Sequence, residues 1–399
     1  MDHTGANQWV EINAEAIIQN LREVKSILKE QVRLIAVVKA NAYGHGAAGT
    51  ASILESQGVD FFAVTYLPEA LKLRRAGIRS DIMLLSPLIS DRQIQEAVNN
   101  DITLTLSSKY HAQLVNQAVS ESMRTVKAHL KIETGLGRFG MGTEEALEVC
   151  RILADNPLVK LEGIYTHMAE AVSASSCQQQ FELFSATIDQ LASSGYNFPL
   201  QHCANSAAAV LYPHMQMNAV RSGTLLAGQY PVGVQGEMQL RDPFKFKCRV
   251  ISLTTHKKGS TLGYYRTYRL KMDAQIAVIP AGYVQGLALE VGNQPAGLVD
   301  LLKIVLKTIL AYMGVRRFSK TVLMGGKSYP VRGKVFMQMA IVEIPFGEPI
   351  AVGNEVEVPV RKTLVAESVP RFYCYKDQII SEGELNPDKA AFSAGREYA

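Results

Sequence analysis

The sequence predicts an α/β protein, a TIM (β/α)8 barrel followed by a mainly β C-terminal domain. Eight short apolar runs alternate with amphipathic stretches between Gln8 and about Leu240, and eight such units in a stretch of this length is the count of a TIM barrel. No Gly-x-Gly-x-x-Gly sequence follows the first run, which argues against the alternative, an open doubly wound sheet. Beyond Arg241-Asp242-Pro243 the apolar residues recur with period two, which is typical of strands.

The barrel elements are expected in the following order. A helix is predicted after Asn13, a suitable N-cap, because Ile17, Leu21, Val24 and Leu28 share one face. The eight strand-like runs are Leu34–Val38, Asp60–Val64, Ile82–Leu85, Ile102–Leu106, Val126–Ile132, Leu161–Thr166, Leu200–Cys203 and Asn218–Arg221. Helix-like stretches such as Pro68–Ala76, Glu144–Leu153 and Gln178–Leu191 lie between them.

The second domain is expected to begin near residue 243. Lys245–Val250 alternates polar and apolar residues, and further strand-like runs follow, broken by glycine, proline and asparagine. These runs are Gln275–Ile279, Thr321–Met324, Val335–Ile344 and Val356–Val360. We therefore place one domain at residues 1–242 and a mainly β domain at residues 243–399.

A helical pattern near residues 298–313 interrupts the second domain. Its apolar stripe consists of Leu298, Leu301, Leu302, Val305, Ile309 and Met313, and Arg316-Arg317 follows it. Apolar stripes at helical spacing usually belong to a core, so we expect this helix to pack on its own domain. A membrane-surface or partner-binding helix is the alternative.

Composition and charge narrow the class of function. The chain is 47% hydrophobic and 20% charged, as in ordinary globular proteins, and its net charge of +4 gives no reason to expect nucleic acid as a partner. The five cysteines are dispersed without a Cys-x-x-Cys pair, so we expect neither disulfides nor a metal site, and a cytoplasmic location. We expect no signal peptide and no membrane span, because no run of about 18 uncharged apolar residues occurs.

One strand ends at a lysine that can carry chemistry. The apolar run Leu34–Val38 is followed by Lys39, by small residues, and by Gly44 and Gly46. An unpaired ammonium is costly to bury, and desolvation favours the neutral amine that forms Schiff bases with aldehydes. The alternative is a lysine whose head reaches water. The residues alone leave both interpretations open.

The string Val37-Val38-Lys39-Ala40-Asn41-Ala42-Tyr43-Gly44-His45-Gly46 resembles the cofactor-lysine motif of the alanine racemases, which use pyridoxal 5′-phosphate (PLP). The resemblance extends over nearly the whole chain and implies a barrel and a β domain, with Trp9–Ile12 packing on the β domain and the helix near 298–313 as an insertion. It also implies that Lys39 carries PLP as a Schiff base and that Tyr43 reaches the phosphate.

The glycine-rich segment 131–140 is similar to the family's loop after the fifth strand. The resemblance implies that Arg138 contacts the cofactor's phenolic oxygen and the substrate carboxylate, which suits the rigid donor fork of arginine. Lys131 matches a lysine that is often carbamylated in the family and that would then be an anion able to orient Arg138. Without the resemblance, both residues could be ordinary surface cations.

The ends of the sixth, seventh and eighth strands supply the other cofactor positions. His167 matches the imidazole that stacks on the PLP ring, although a strand-end histidine is more often structural. Asn205 and Ser206 open a helix whose N-terminus favours an anion. Gly223 and Thr224 follow the eighth strand, where this fold usually binds phosphate.

Arg221 matches the residue beside the pyridine nitrogen. Most PLP enzymes place a carboxylate there to keep the nitrogen protonated. Because an arginine cannot accept that proton, the nitrogen would stay neutral, which suits brief removal and return of a proton and disfavours transamination.

Racemisation needs an acid or base on each face of Cα, and Lys39 can serve one face. Gly263–Tyr268 resembles the family's second-base loop, with Tyr264 at the position of the catalytic tyrosine. In the family this tyrosine comes from the other subunit, so a homodimer with a shared active site is implied. Tyr283 and Met337 match positions that line the substrate entrance.

The sequence departs from the family's pattern around that entrance. Gln338 stands where the family usually has aspartate, Val284-Gln285-Gly286-Leu287 replaces acidic and arginine positions, and Ala227-Gly228 replaces Tyr-Gly. No residue matches the tyrosine that normally supports the catalytic one; Tyr373 is nearby but is not a match. These departures concern the identity of the substrate more than PLP binding.

The leading hypothesis is a PLP-dependent racemase that interconverts L-alanine and D-alanine with Lys39 and Tyr264 as its two bases. A racemase of broader or different specificity, for serine, lysine or ornithine, is the alternative. A PLP-dependent decarboxylase is disfavoured because the Glu-Pro-Gly-Arg phosphate motif of that class is missing. From another class, the chain could be a catalytically weak PLP-binding protein, which would usually lack the β domain and the second base.

Overall fold

Parallel strands and helices alternate through the first part of the chain. The structure, a computed structural model, describes residues 5–289, 295, 297–312, 320–376 and 378–381. It separates into two compact units. Asn13–Pro243 and the described residues from Cys374 onward form one unit, and the residues up to Ile12 together with Phe244–Tyr373 form the other.

The unit Asn13–Pro243 is built on an eight-stranded parallel sheet. After β1 (Gln8–Asn13), its strands are β2 (Arg33–Val37), β3 (Phe61–Val64), β4 (Asp81–Leu84), β5 (Ile102–Leu106), β6 (Val126–Lys131), β7 (Val159–Tyr165), β8 (Leu200–His202) and β9 (Ala219–Ser222). Strands β2 to β8 pair in chain order, and β9 pairs with β2. Each observed strand overlaps one of the predicted runs, so the predicted barrel is confirmed.

The sheet closes between β8 and β9. The backbone N–H of Asn218 donates to the carbonyl of Gln201 at 3.4 Å, and that of Arg221 donates to the carbonyl of Ala204 at 3.1 Å. Strands such as β3, in which every residue is buried, are apolar on both sides because one side faces the barrel interior and the other faces the surrounding helices.

Helices follow the strands as the polar and apolar pattern predicts. They are α1 (Ala14–Ser26), α2 (Ala47–Ser56), α3 (Leu67–Arg75), α4 (Asp91–Asn99), α5 (Lys109–Ser122), α6 (Thr143–Ala154), α7 (Ala174–Ser193) and α8 (Ser206–Leu211). Asn13 caps α1 as predicted, since its Oδ1 accepts the backbone N–H of Ala16 at 2.8 Å. Leu28 lies beyond the end of α1 rather than on its face.

A second sheet has ten strands, most of which lie in the unit that contains Phe244–Tyr373. With β1 it comprises β10 (Phe244–Arg249), β11 (Ser252–His256), β14 (Ala274–Ile279), β15 (Thr321–Met324), β16 (Lys327–Arg332), β17 (Ala340–Pro345), β18 (Glu355–Glu357), β19 (Arg371–Tyr375) and β20 (Gln378–Ser381), and the short pair β12 (Thr261–Leu262) and β13 (Tyr268–Arg269) lies apart. β1 pairs antiparallel with β10, which places Trp9 opposite Lys247. Trp9 is fully buried there.

The predicted helix near residues 298–313 forms as α9 (Leu298–Tyr312); Met313 lies outside the described residues. Our expectation that its apolar stripe packs on its own domain is wrong. Leu298 is 78% exposed and Leu302 is 65% exposed. A periodic stripe shows that one side of a helix is apolar, but it does not show what covers that side. In the described part of the chain, no helix has the length and apolar character needed to cross a membrane.

Candidate active site

The carboxyl ends of the barrel strands surround a cavity of about 390 Å3. Loops after strands around the sheet contribute to its lining, as this fold dictates. Ten residues selected from the sequence line it: Lys39, Tyr43, Lys131, Arg138, His167, Asn205, Ser206, Arg221, Gly223 and Thr224. Residues far apart in sequence therefore meet in one place.

Lys39 opens a tight left-handed turn directly after β2. Ala40, Asn41, Ala42 and Tyr43 all have φ between 50° and 56°, a conformation that costs non-glycine residues on the order of 1–2 kcal/mol each. Glu69 offsets part of this cost, because its carboxylate accepts the backbone N–H of Ala40 at 2.6 Å. The strained turn fixes where the lysine leaves the strand.

The surroundings of Lys39 favour its neutral amine. Burial lowers the pKa of Lys39, and the nearby cations Arg138 and Arg221 act in the same direction. Glu69 opposes the shift, but the pKa remains below the ordinary value of a lysine. A neutral amine at the end of a barrel strand can act as a nucleophile or as a base.

One end of the cavity is a cradle of small and hydroxyl-bearing residues. A Cβ atom on Gly223 would collide with the ring and hydroxyl of Tyr43, so the backbone there must be glycine. Ser206 Oγ lies 3.2 Å from Ser222 Oγ and accepts the backbone N–H of Gly223 at 3.3 Å. Among the described residues, the buried hydroxyl of Thr224 has no hydrogen-bond partner. This donor-rich cradle has the chemistry of a phosphate site.

Burial raises the pKa of the Tyr43 hydroxyl to about 12. The side chain therefore stays protonated at neutral pH and can donate its hydrogen to an anion. Asn205 fixes the adjoining backbone, because its Oδ1 accepts the N–H groups of Ala207 and Ala208 at 3.1 and 3.0 Å. Both features add to the anion-binding character of this end of the cavity.

Arg221 is buried beside the cavity without a carboxylate among the contacts that the described residues make with it. Its guanidinium donates to the carbonyls of Thr166 at 2.6 Å and of His202 and Cys203 at 3.1 Å. It also lies 3.3 Å from Nδ1 of His167. Since an arginine in a protein keeps its proton, the cavity faces a fixed cation that can donate hydrogen bonds but not accept a proton.

Two buried histidines continue this network into the barrel. Nη1 of Arg221 lies 2.6 Å from Nδ1 of His202, and Nε2 of His202 lies 3.0 Å from Nδ1 of His129. Because arginine only donates, Nδ1 of His202 accepts and its Nε2 donates to His129. Burial and Arg221 lower the pKa of His202 well below its usual range, and they lower that of His129 to about 3. Both rings are therefore neutral at pH 7.

His167 is neutral for the same reason. Burial, followed by the charge of Arg221, lowers the pKa of His167 well below its usual range. The histidine that is predicted to stack on the cofactor ring is therefore an uncharged part of the cavity lining. The network also orients it, because Nη2 of Arg221 lies against its Nδ1.

Lys131 is a second buried lysine in the cavity wall. Its Nζ lies 4.9 Å from the centre of the Tyr165 ring, and that ring stacks on His202 at 4.9 Å. Burial, with a contribution from Arg221, lowers the pKa of Lys131 to about 7. The side chain is therefore close to half neutral at physiological pH.

The loop after β6 brings Arg138 to the cavity mouth. Glu133 shapes this loop, because its Oε1 accepts the N–H groups of Gly135 at 2.5 Å and Leu136 at 2.6 Å. Burial opposes ionisation of Glu133, but these N–H groups hold the pKa of its carboxyl below the usual range. The exposed guanidinium of Arg138 lies 4.9 Å from the centre of the Phe139 ring. It is free to meet an incoming carboxylate.

Comparison with known proteins identifies this arrangement. Residues 12–231 match the family model "Alanine racemase, N-terminal domain", and residues 244–371 match "Alanine racemase, C-terminal domain". The chain belongs to the alanine racemase family. "Alanine racemase 1" of Caldanaerobacter subterraneus subsp. tengcongensis is 33% identical over 358 residues, which are 88% of this chain and 84% of that protein.

Solved structures of the family superpose on most of the chain. The alanine racemase of Clostridium difficile 630 gives a TM-score of 0.82 at 26% identity and covers 94% of this chain and 98% of its own. That of Bacillus anthracis with bound L-Ala-P gives 0.80 at 27% identity and covers 94% and 97%. The family resemblance stated from the sequence is therefore confirmed.

The remaining residues selected by family resemblance lie in the β unit. Tyr264, Tyr283 and Met337 are 66%, 39% and 58% exposed. They come together through Phe336, whose ring meets that of Tyr264 edge-on at 5.1 Å and whose carbonyl accepts the N–H of Tyr283 at 3.0 Å. We define these four residues as the tyrosine patch.

Of the residues that depart from the family's pattern around the entrance, some are buried and cannot contact a substrate directly. Gln285 is buried, and its Oε1 accepts the N–H of Gly282 at 3.0 Å. Leu287 is also buried. Gly286 has no side chain, so Val284 is the one residue of this segment with an exposed side chain, at 41%. Gln338 is exposed as well. These two positions can therefore contact a substrate or a partner.

Sequence reasoning gave no role to several residues of the cavity. His202 contacts Arg221, His129 contacts His202, and the Tyr165 ring lies against Lys131. Thr65, Ser86 and Pro231 belong to the cavity lining. The alternation of side chains along a strand could have identified His129, because residues two apart on β6 point to the same side of the sheet and His129 therefore shares a side with Lys131. An inward polar residue near the end of a barrel strand is a candidate for such support.

Proposed function

We propose that this protein is a PLP-dependent racemase that interconverts L-alanine and D-alanine. One observation carries the proposal most strongly: a lysine with a lowered pKa, a buried arginine and a phosphate-like cradle line the same cavity. Membership of the alanine racemase family supports the same activity. We further propose that the two compact units correspond to the domains expected at residues 1–242 and 243–399. They differ from that expectation at two places, because the residues up to Ile12 group with the second unit and the described residues from Cys374 onward group with the first.

The residues of the cavity fit PLP. Lys39 would hold its aldehyde carbon, and Tyr43, Ser206, Gly223 and Thr224 would hold its phosphate. The glycine cradle and the unpartnered hydroxyl of Thr224 support this assignment within the described residues. When bound, PLP withdraws electrons from the bond between Cα and its hydrogen and so acidifies that hydrogen.

Other residues would hold the ring of PLP. His167 would contact its face, and Asn205 would complete the cradle beside Ser206. Arg221 would donate to the ring nitrogen without protonating it, because its own proton is retained. A neutral ring nitrogen limits how far negative charge spreads from Cα, which favours returning a proton to Cα over other reactions.

The chain's own residues would perform the proton transfers. Arg138 would bind the substrate carboxylate through its paired donors. The amine of Lys39 would remove or deliver the Cα proton on one side, and the hydroxyl of Tyr264 would do so on the other. Tyr283 and Met337 would line the entrance through which the amino acid reaches these groups.

We propose that the site is completed in a homodimer. Lys39 lies in the barrel and Tyr264 in the tyrosine patch of the other unit, where aromatic and methionine side chains are exposed. Exposed aromatic clusters are typical of interfaces. Each Tyr264 would then serve the cavity of the partner subunit.

The cradle gives a direct test of cofactor binding. We expect Gly223→Ala to weaken PLP binding about tenfold or more, because the added Cβ collides with Tyr43 and an overpacked site costs about 1–3 kcal/mol. PLP titration monitored by absorbance measures the change. Gly142→Ala is the matched control, since Gly142 is exposed with φ −75° and nothing lies within 4 Å of its Cβ position. Equal PLP affinity in both variants would contradict the assignment of the cradle.

Lys131 gives a pH-dependent prediction. We propose that its neutral amine adds CO2 to form a carbamate with release of a proton, and that this anion orients Arg138. The pKa of Lys131 is about 7, so the neutral fraction rises between about pH 6 and about pH 8, where an ordinary lysine stays protonated. Carbamylation should therefore increase over this interval.

Carbon-13 NMR with labelled bicarbonate measures the carbamate. The resonance should be missing from Lys131→Met and present in Lys127→Met. Lys127 lies on the same strand, but its ion pair with Asp81 at 3.0 Å raises its pKa despite partial burial. A carbamate that survives Lys131→Met, or one that weakens as the pH rises from 6 to 8, would contradict this assignment.

The altered entrance favours a second candidate function, a racemase of broader specificity. The segment Val284–Leu287 stands where the family usually has acidic and arginine residues, and Gln338 stands where it usually has aspartate. The residues of the cavity remain. A fitted pocket excludes one methylene by only about 1–3 kcal/mol, so loss of a gate residue can admit serine, lysine or ornithine.

Chiral chromatography after incubation with each amino acid tests both functions. We expect kcat/KM to be highest for alanine, with measurable turnover of the larger substrates. We expect Gln338→Asp to reduce turnover of the larger substrates more than that of alanine. A strict alanine preference in the unaltered chain would reject the broad specificity, and turnover of lysine without alanine would reject alanine racemisation.

A further inference from the structure

Helix α9 presents a large apolar surface to solvent. Every described side chain from Leu298 to Ile309 is exposed, including Leu302 at 65% and Leu306 at 57%. A helix with so many apolar residues is normally buried, and exposed apolar patches of this kind mark interaction sites. An exposed apolar surface of this kind indicates that another molecule or a lipid surface covers it.

The width of the apolar side of α9 distinguishes between a partner helix and a lipid bilayer as the surface that covers it. At about 100° per residue, five apolar residues fall on one side of α9 and, with their apolar neighbours, occupy more than half of its circumference: Leu298, Leu301, Leu302, Val305 and Ile309. Asp300, Lys303 and Lys307 fall on the other side. A single partner helix needs only a narrow stripe of alternating three- and four-residue spacing. A helix lying in a bilayer interface uses a whole apolar half.

The charge of the segment complements an anionic surface. Residues 298–320 contain five basic residues, Lys303, Lys307, Arg316, Arg317 and Lys320, and a single acidic one, Asp300. Basic residues next to an apolar helix strengthen binding to anionic lipid headgroups, and each contributes by attraction to the negative surface potential. Long lysine side chains can also extend from the apolar boundary to the phosphates.

The length of α9 determines whether it could cross a lipid bilayer or would lie along its surface. Its 15 residues would extend about 22 Å at 1.5 Å per residue, which is less than the roughly 30 Å of a bilayer's hydrocarbon core. Among the described residues, no helix meets the length and hydropathy required for a span. A helix of this length lies along the interface rather than across it.

We propose that α9 is a membrane-surface helix that docks the β unit on an anionic lipid bilayer. Its apolar half enters the boundary between headgroups and acyl chains, and Lys303 and Lys307 contact the lipid phosphates. This role is separate from the chemistry of the barrel cavity, whose lining residues belong to the other unit.

Vesicle flotation of the PLP-loaded 399-residue chain tests the proposal. We expect the protein to float with vesicles of phosphatidylcholine mixed with phosphatidylglycerol and to remain behind with phosphatidylcholine alone. Binding should weaken as salt is raised. Leu302→Ser/Ile309→Ser and Lys303→Gln/Lys307→Gln should each lower binding to the mixed vesicles at least about tenfold.

Phe346→Ser/Val352→Ser is the matched control. It removes two apolar side chains that are 67% and 61% exposed in the same unit but lie outside α9, so binding should be unchanged. The emission of the buried Trp9 should be the same in all variants if each remains folded.

Three outcomes would overturn the proposal. The first is failure of the unaltered protein to float with mixed vesicles. The second is flotation that persists in Leu302→Ser/Ile309→Ser. The third is concentration-dependent self-association in light scattering that this variant abolishes without any vesicle binding, because a second copy of the chain would then cover α9.

Discussion

Replacing Lys39 with alanine should lower racemisation by about four orders of magnitude or more. The variant loses a positioned proton-transfer group, which typically contributes 10²–10⁴-fold, and also the amine that would hold PLP. Chiral chromatography of alanine after incubation measures the loss. In the unaltered protein we also expect a yellow colour, and borohydride treatment should fix PLP to the peptide that contains Lys39.

Lys160→Ala is the matched control for this variant. Lys160 is an exposed lysine on β7, near the amino end of the strand and therefore away from the cavity. Its replacement should leave activity and colour unchanged. A Lys39→Ala variant within tenfold of normal activity, or a colourless protein that does not take up added PLP, would contradict the role assigned to Lys39.

Replacing Tyr264 with phenylalanine should lower racemisation by about 10²–10⁴-fold, because only one face of Cα then has a proton-transfer group. The two-base hypothesis also predicts an asymmetry. In heavy water, Tyr264→Phe should still exchange the Cα hydrogen of one enantiomer through Lys39, but not that of the other. Mass spectrometry of each alanine enantiomer measures this exchange. Tyr265→Phe, at an 86% exposed neighbour, should behave normally.

Mixing the two inactive chains tests whether the site is shared. If Lys39 and Tyr264 of different subunits form each site, a Lys39→Ala chain paired with a Tyr264→Phe chain has one intact site out of two. Equal mixing with free exchange of subunits should then restore about a quarter of normal activity, since about half of the dimers are hybrids. If mass spectrometry verifies subunit exchange and no activity returns, the shared-site hypothesis is contradicted. Lys39 and Tyr264 would then act within one subunit, or they would not act together in one site.

Much of the barrel and its cavity could be predicted from the sequence. Strand periodicity located β2 to β9, because strands buried on both sides are continuous apolar runs. Position at strand ends then placed Lys39, Arg138, His167 and Arg221 around one cavity, since the carboxyl ends of barrel strands meet. The apolar pattern of the sequence was therefore sufficient to locate the strands, and the topology of the barrel was sufficient to bring their terminal residues together.

Tertiary effects account for what could not be predicted. The left-handed turn after Lys39 contains alanines, which do not favour positive φ, and contacts such as that of Glu69 hold it. The His202–His129 pair depends on burial and on the donors of Arg221, neither of which is visible in sequence. For α9, the sequence pattern predicted the helix correctly but predicted wrongly that its apolar side is buried.

The most direct test of the central claim is incubation of the purified protein, PLP and L-alanine in heavy water, followed by chiral separation and mass spectrometry. Our account predicts formation of D-alanine that carries deuterium at Cα, with loss of this activity in Lys39→Ala. Alanine that remains entirely in the L form, while the protein holds bound PLP, would contradict it.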